Sequence, residues 1–574
     1  MDQKRLIIAI AVSLAILLGF QWLMPRPKPA ATTTASTAEP ATPAAPVPVP
    51  ATPAKASVPP AEVPRLKISA PRVEGSISLI GARLDDVVLK NYRETTDPDS
   101  PLVKILEPKS SSQPYYVQFG WSAAAGAAVK LPDSDTLWTA SGPSLGVNAP
   151  VTLTWDNGAG LVFEIALAID DNFMFTAQQR VRNTSGAAVS LYPWSRISRD
   201  YTPAVLGTYV LHEGMVGWLD GRLQEVKYAT AKSDAEKTAG AAALSLTGAG
   251  GWGGITDKYW LIALVPDQSV PTVSAFRDAR EEGDSYQFYM VTQNPEQIAP
   301  GATGTLATRV FTGAKEVHLL DQYESIDHIP NFSYAVDFGW FWFLTKPFFY
   351  AIDWLNALLG NFGLAIMVFT VCVKGLFFPL ANKSYRSMSK MKLLGPKISA
   401  LREQFKDEPG KLQQATMQLY KTEKVNPVSG CLPMVIQIPV FFSLYKVIYT
   451  TIEMRQAPFF GWIHDLSVPD PTNIFNLFGL LPFDPTHYVS IAHLGAWPLI
   501  MGATMFFQQR LNPPPPDPVQ AKLFQFMPLI FMFMLARFPA GLVIYWSWNN
   551  TLTIAQQWVI MRRTRLTKPS FARG

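Results

Sequence analysis

Charge is scarce in this chain. Asp, Glu, Lys and Arg make up 16% of its 574 residues, against 48% hydrophobic. That balance is too apolar for an ordinary soluble protein and too mixed for one sunk wholly in lipid. Cysteine is scarcer still. Cys372 and Cys431 are the two present, and both fall in apolar stretches. No disulfide framework is available to an exported domain, and both thiols are expected to be inert packing residues. The six histidines are scattered, and neither H-E-x-x-H nor paired Cys/His spacing occurs, so zinc chemistry has no ligand set. His464 and His487 share one loop and read as surface or interfacial residues. The absence of G-x-x-x-x-G-K-[ST] excludes a P-loop ATPase. No cofactor, no metal, no catalytic group and no direct nucleic-acid function are expected.

What the chain has is strongly regional. Lys4 and Arg5 precede an apolar run from Leu6 to Met24. It is longer than a signal-peptide core and close to the roughly 20 residues that a span needs. We read 1–24 as a retained transmembrane anchor rather than a cleaved signal. Residues 25–64 hold 12 of the 48 prolines among Ala, Thr and Ser, the composition of an extended linker. Over 65–330, short runs alternate Val, Thr, Tyr and Phe with polar residues between Gly, Pro, Asn and Asp. Examples are LVFEIALAI (161–169), MFTAQQRVR (174–182) and TGTLATRVFTG (303–313). Many short strands predict a large β-sandwich.

Residues 332–354 carry 11 aromatics, including Trp340, Trp342 and Trp354. An aromatic belt belongs at the headgroup level, so 331–355 is expected to be an amphipathic helix in the outer interface, with a buried helix of the β-domain as the alternative. Apolar spans are expected at 362–382, 428–450, 491–509, 523–537 and 540–561. Between the first two, 383–427 holds ten Lys or Arg against four acids, whereas 451–490 holds one Arg, no Lys and four acids. The tail 562–574 is again basic. The positive-inside rule then puts 383–427, the loop 510–522 and both termini in the cytoplasm, and residues 25–361 and 451–490 outside. Met388, Met391, Leu394, Ile398, Leu401 and Phe405 recur at helical spacing before Glu408-Pro409-Gly410, and Leu412, Ala415 and Tyr420 resume it. This predicts a basic helical hairpin of two short helices. It would serve as an anchor to anionic phospholipid or as a docking site for the ribosome or signal-recognition machinery.

Lys374 is the most informative residue. It lies in NFGLAIMVFTVCVKGLFFPL (361–380), which contains no Asp or Glu. A lysine at mid-span costs about 3 kcal/mol on insertion scales and ordinarily faces a bundle interior or a wet cavity. Thr370 shares its helix face at i−4. Trp546, Asn550, Thr553 and Gln557 follow a 4-3-4 spacing in the last span, and Gln437 adds a polar group between Pro433 and Pro439. These residues line a hydrophilic groove or hydrogen-bond between helices, and the two roles are compatible. The Met- and Phe-rich run 526–535 suits adaptable contact with an apolar partner or with lipid.

At these residues the chain resembles the bacterial YidC membrane protein insertases and their superfamily. The resemblance rests on DFGWFWFLTKPFF (337–349), KGLFFPL (374–380), EKVNPVSGCLPMVIQIPVFFSLY (423–445), RQAPFFGWIHDLS (455–467) and FPAGLVIYW (538–546). It covers essentially all of 330–561, with a looser match in the β-domain. It implies an α+β membrane protein of the Gram-negative inner membrane, with an N-terminal anchor helix. A periplasmic β-supersandwich of galactose mutarotase-like fold and a five-helix membrane core with a cytoplasmic hairpin would follow. It further implies that Lys374 stands where relatives often carry Arg, and that Thr370 and Trp546 are groove positions, Trp546 replacing what is often Tyr. Nascent inner-membrane proteins, acted on alone or with the Sec translocon and its accessory subunits, are the implied partners. Rivals from other classes are a small-solute transporter or channel and a membrane-anchored periplasmic carbohydrate-active domain.

Overall fold

The computed structural model describes residues 63–566, apart from 125–126, 128, 206–210, 238–241, 280–282, 407, 424, 426–431, 482–492 and 512–517. The expected anchor and nearly all of the expected linker therefore lie outside the described residues, as does Cys431.

Strand after strand in the first half is built on alternation. Leu161–Ile169 buries every second side chain along its whole length, and it pairs antiparallel with Met174–Asn183, which pairs in turn with Thr303–Ala314. Val, Ile and Phe at alternate positions fill one face of each strand, so only one register puts them inside. Two sheets result among the described residues, one of 11 strands and one of 9. Their inner faces share a core that includes Val117, Phe163, Ile165, Phe175, Ile197 and Phe288. Two strands, Val73–Ser78 and Arg83–Arg93, follow one another near the start of the sandwich. Gly81 and Ala82 turn the chain between them at positive φ.

Helices α1 (Tyr228–Lys237) and α2 (Val317–Ser325) belong to the sandwich. Beyond the sandwich the described residues are mostly helical. Helix α3 (Trp342–Leu359) buries Thr345, Phe349 and Ile352 on one face and exposes Trp342, Phe343 and Trp354 on another. It packs against α4 (Phe362–Leu376) and α8 (Leu432–Thr450) rather than inside the sandwich. Its end is written locally: Gly360 takes φ +68°, and the Asn361 side chain accepts from the Leu364 N–H at 3.0 Å to start α4.

Helix α4 stops at Leu376, and α5 (Phe378–Leu393) leaves at 68° to it. Pro379 has no N–H to give the Gly375 carbonyl, and its ring crowds that oxygen, which favours a bend here over a straight helix through 362–382. The hairpin is likewise not two helices. After α5 come α6 (Gly395–Gln404) and α7 (Pro409–Thr422), with a break at Leu394-Gly395 ahead of the foreseen one at Glu408. Gly395-Pro396 starts a new helix more readily than it continues one. The bundle is completed by α9 (Ala496–Leu511), α10 (Pro518–Leu535) and α11 (Ala540–Leu566). Among the described residues no single helix is long and apolar enough to cross a membrane, while α4 and the first part of α5 pass together as a bent pair. Cys372, expected to be buried, is exposed. It sits two residues from both Thr370 and Lys374, and a helix turns about 200° over two residues, so it faces away from the bundle.

Candidate functional site

A partly open cavity of about 50 Å³ lies among α4, α5, α8 and α11. Its polar wall is made by Thr370 and Lys374 from α4, Gln437 from α8, and Tyr545, Asn549 and Gln556 from α11. Val373, Phe377, Leu380, Val440 and Leu444 make the apolar wall. The i, i+4 spacing of Thr370 and Lys374 sets both on the cavity face. The Thr370 hydroxyl is spent on its own helix, donating to the Ile366 carbonyl at 2.6 Å. Lys374 is half-buried, and its ammonium donates to Thr553 Oγ1 at 2.8 Å. The Thr553 hydroxyl in turn donates to the Asn549 carbonyl at 2.7 Å. No carboxylate faces Lys374 among the described residues. Gln437 donates to the Tyr545 hydroxyl at 2.7 Å, which fixes the amide between α8 and α11. Asn549 Oδ1 and Gln556 Nε2 are buried with no hydrogen-bond partner in the structure.

Of the residues singled out in the sequence, Lys374, Thr370, Gln437 and Thr553 thus come together. Three others lie beside the cavity instead. Trp546 packs edge-on against Phe441 at 4.7 Å and tilts against Phe531 at 5.6 Å. Asn550 donates to Thr504 Oγ1 on α9 at 3.3 Å. Gln557, also buried, hydrogen-bonds the Tyr385 side chain. Tyr545, Asn549, Gln556 and Tyr385 were missed. The signal was present as doublets: Tyr545-Trp546, Asn549-Asn550 and Gln556-Gln557 each offer two faces about 100° apart, and spacing alone does not choose between them.

Fold and cavity together define a two-part protein: a β-sandwich joined to an apolar helical bundle that encloses a cationic groove. The family described as YidC periplasmic domain matches residues 65–351, and that described as 60Kd inner membrane protein matches 354–568. The membrane protein insertase YidC of Granulibacter bethesdensis is 59% identical, with 100% of each chain covered. That of Acidiphilium cryptum is 54% identical over 87% of this chain and 85% of its own. Among solved structures, an active YidC insertase with its first transmembrane domain resolved aligns over 86% of this chain and 91% of its own, at 18% identity and a TM-score of 0.34. A galactose mutarotase related enzyme from Lactobacillus acidophilus aligns with 43% of this chain and 97% of its own, at 10% identity and a TM-score of 0.28. The chain belongs to the YidC family of membrane protein insertases, proteins of the inner membrane with a periplasmic domain.

Proposed function

We propose that this chain inserts nascent proteins into the inner membrane by lending them the cationic groove, with no covalent step. The observation that carries the reading is the Lys374 ammonium, half-buried between apolar helices and held by a hydroxyl rather than a carboxylate. Its charge is left for a visiting group. In such a setting a charge pair is stronger than in water. An acidic hydrophilic segment of a substrate is drawn to Lys374, and its backbone meets Asn549 Oδ1 and Gln556 Nε2. The segment then crosses less hydrocarbon.

The apolar helix that follows slides along α8 and α10 into lipid. Val435, Ile438 and Phe442 on α8 are exposed, as are Phe526, Leu529, Ile530 and Met534 on α10. Burial of the substrate's apolar surface, at about 25 cal/mol per Å², drives the step without nucleotide hydrolysis. In this reading the bent pair α4–α5, with α8, α9, α10 and α11, forms the five-span core, and residues 1–24 supply a sixth span. Both termini and the basic segment 383–427 are cytoplasmic, and α3 lies in the outer interface. The basic hairpin meets the ribosome, signal-recognition machinery or anionic lipid, and the Sec translocon shares some substrates.

The test is insertion of a small single-span protein with an acidic N-terminal tail into proteoliposomes holding only this chain. Lys374→Arg should insert, Lys374→Ala should insert weakly, and Lys374→Glu should fail. Equal insertion by all three would make Lys374 structural and remove the charged-groove mechanism.

A further inference from the structure

The segment 474–481 has no part in the groove, yet it is built at a cost. Leu477 and Phe478 are consecutive residues with side chains, and both sit in the left-handed region at φ 53° and 59°. Such residues are uncommon there singly, and held strain points to a use. What this backbone achieves is display. Phe475, Leu477, Phe478, Leu480 and Leu481 are all exposed, Leu480 at 82%. No Asp, Glu, Lys or Arg occurs between Asp470 and Asp484.

The base of the loop is fixed. Ile474 N–H donates to the Leu494 carbonyl at 2.9 Å, two residues ahead of α9. Asp470, 1% exposed, accepts from Trp462 Nε1 at 3.1 Å and from the Trp497 N–H at 2.8 Å. The loop's polar groups are turned inward. Phe475 N–H donates to Asn473 Oδ1 at 3.2 Å and Gly479 N–H to Asn476 Oδ1 at 3.0 Å. Phe478 N–H donates to the Asn473 carbonyl at 2.8 Å and Leu481 N–H to the Asn476 carbonyl at 3.1 Å.

An apolar, charge-free patch that closes many of its own N–H bonds suits the boundary between headgroups and acyl chains, where side chains enter the lipid and water still reaches the remaining backbone groups. The bond from Ile474 to Leu494 sets the patch at the start of α9, a helix that itself exposes Ile500 and Phe507. Phe460 and Trp462 of the same loop region are exposed too, and aromatics of this kind favour the headgroup level. We infer that residues 474–481 form a wedge inserted into the outer leaflet, its occupant being phospholipid acyl chains, and that it fixes the depth of the bundle's outer end. The inference rests on the membrane topology proposed above.

The test uses the full chain with Cys372→Ser and Cys431→Ser, labelled at Leu480→Cys with an environment-sensitive fluorophore. Ile530→Cys on α10 and Leu137→Cys on the sandwich serve as lipid and water controls. Reconstitution is into phosphatidylethanolamine–phosphatidylglycerol vesicles with or without nitroxide-bearing acyl chains, and an unfolding midpoint in detergent equal to that of the cysteine-free chain verifies the fold of each labelled variant. Leu480 should be quenched by the shallow nitroxide lipid and several-fold less by aqueous iodide than Leu137. Iodide quenching equal to that at Leu137, with Ile530 still lipid-quenched, overturns the wedge and leaves the topology standing. If Ile530 also meets iodide, topology and wedge fall together. Shelter at Leu480 that requires added Sec translocon makes the patch a protein contact and overturns the lipid assignment.

Discussion

Thr553 decides what Lys374 does. Its hydroxyl donates to the Asn549 carbonyl and accepts from the ammonium, so it aims the charge without cancelling it. A lysine here is a point charge on a flexible stem, whereas Arg would present a planar fork, so attraction rather than bidentate grip is the interaction to expect. The two asparagines of the doublet separate function from packing. Asn549→Leu, and likewise Gln556→Leu, should slow insertion several-fold while leaving thermal unfolding in detergent almost unchanged, because neither side-chain atom has a partner to lose. Asn550→Leu should do the reverse. It breaks the bond to Thr504 and lowers stability by about 0.6 kcal/mol, the mean for such interhelical bonds, with insertion nearly intact. Equal effects from both would mean that the cavity wall does not distinguish them.

The break between α4 and α5 belongs to the scale of the element. Gly375 and Pro379 stand four apart, so one of the bonds that would carry a straight helix through is chemically missing. The bend puts Leu380, Ala381 and Tyr385 into the wall beside Lys374 rather than beyond it. Pro379→Ala restores a donor and removes a local penalty of about 3 kcal/mol for proline in a helix interior. Spin labels at Val368 and Lys383 should then move apart as the pair straightens. Insertion should fall, since the α5 wall swings off the cavity. An unchanged distance would assign the bend to tertiary packing instead of to proline. Pro439 and Pro528, by contrast, lie inside α8 and α10, which continue through them, on the two helices that expose the proposed sliding surface.

At the scale of the whole molecule, the sandwich and the bundle are tied at one junction. Lys446 of α8 pairs with Asp337 at 2.7 Å, both largely buried. Lys346 of α3 pairs with Asp321 of α2 at 2.7 Å. Arg455 and Gln456 donate to the Arg93 carbonyl across the same seam. Gly339 takes φ +71° there, and a Cβ on it would meet Lys446 Cε at 2.7 Å, so a larger residue strains the backbone and displaces the lysine of the pair. Asp337→Ala should cost roughly 3 kcal/mol by breaking a largely buried pair and the bonds that Asp337 accepts from the His212 and Gly339 N–H groups, and Asp337→Ala with Lys446→Met should recover part of it. Thermal unfolding of the two variants checks this, and a double variant as unstable as the single one refutes it.

The same seam carries a pH dependence. Burial pushes the Glu453 carboxyl from its usual range up to about 7, and nearby Glu316 and Asp353 push the same way. The Val317 N–H, donating at 2.8 Å, opposes the shift. The folded state therefore holds the proton more tightly than the unfolded one. This contribution to stability is fully present below the ordinary glutamate range and is lost as pH rises through about 7. Glu453→Gln should flatten the fall in unfolding midpoint between acid and neutral pH, and an unchanged slope would place the titration elsewhere.

Much was legible in the chain itself. Strict alternation in Leu161–Ile169 and Met174–Asn183 requires half-buried strands, because only one face of a pleated strand can be inside. An uncompensated lysine in an apolar run requires a polar cavity to hold it, and the Gly360-Asn361 pair fixes where one helix ends and the next begins. Rotation and junction were decided only by tertiary structure. Helical period sets the angle between residues but not the absolute phase, so doublets such as Asn549-Asn550 and Gln556-Gln557 leave the lining face open until neighbouring helices close on it. Phase also put Cys372 outside when composition suggested inside. The ion pairs joining the sandwich to the bundle, and the left-handed pair Leu477-Phe478, depend on residues brought together or held by contacts that no local pattern encodes.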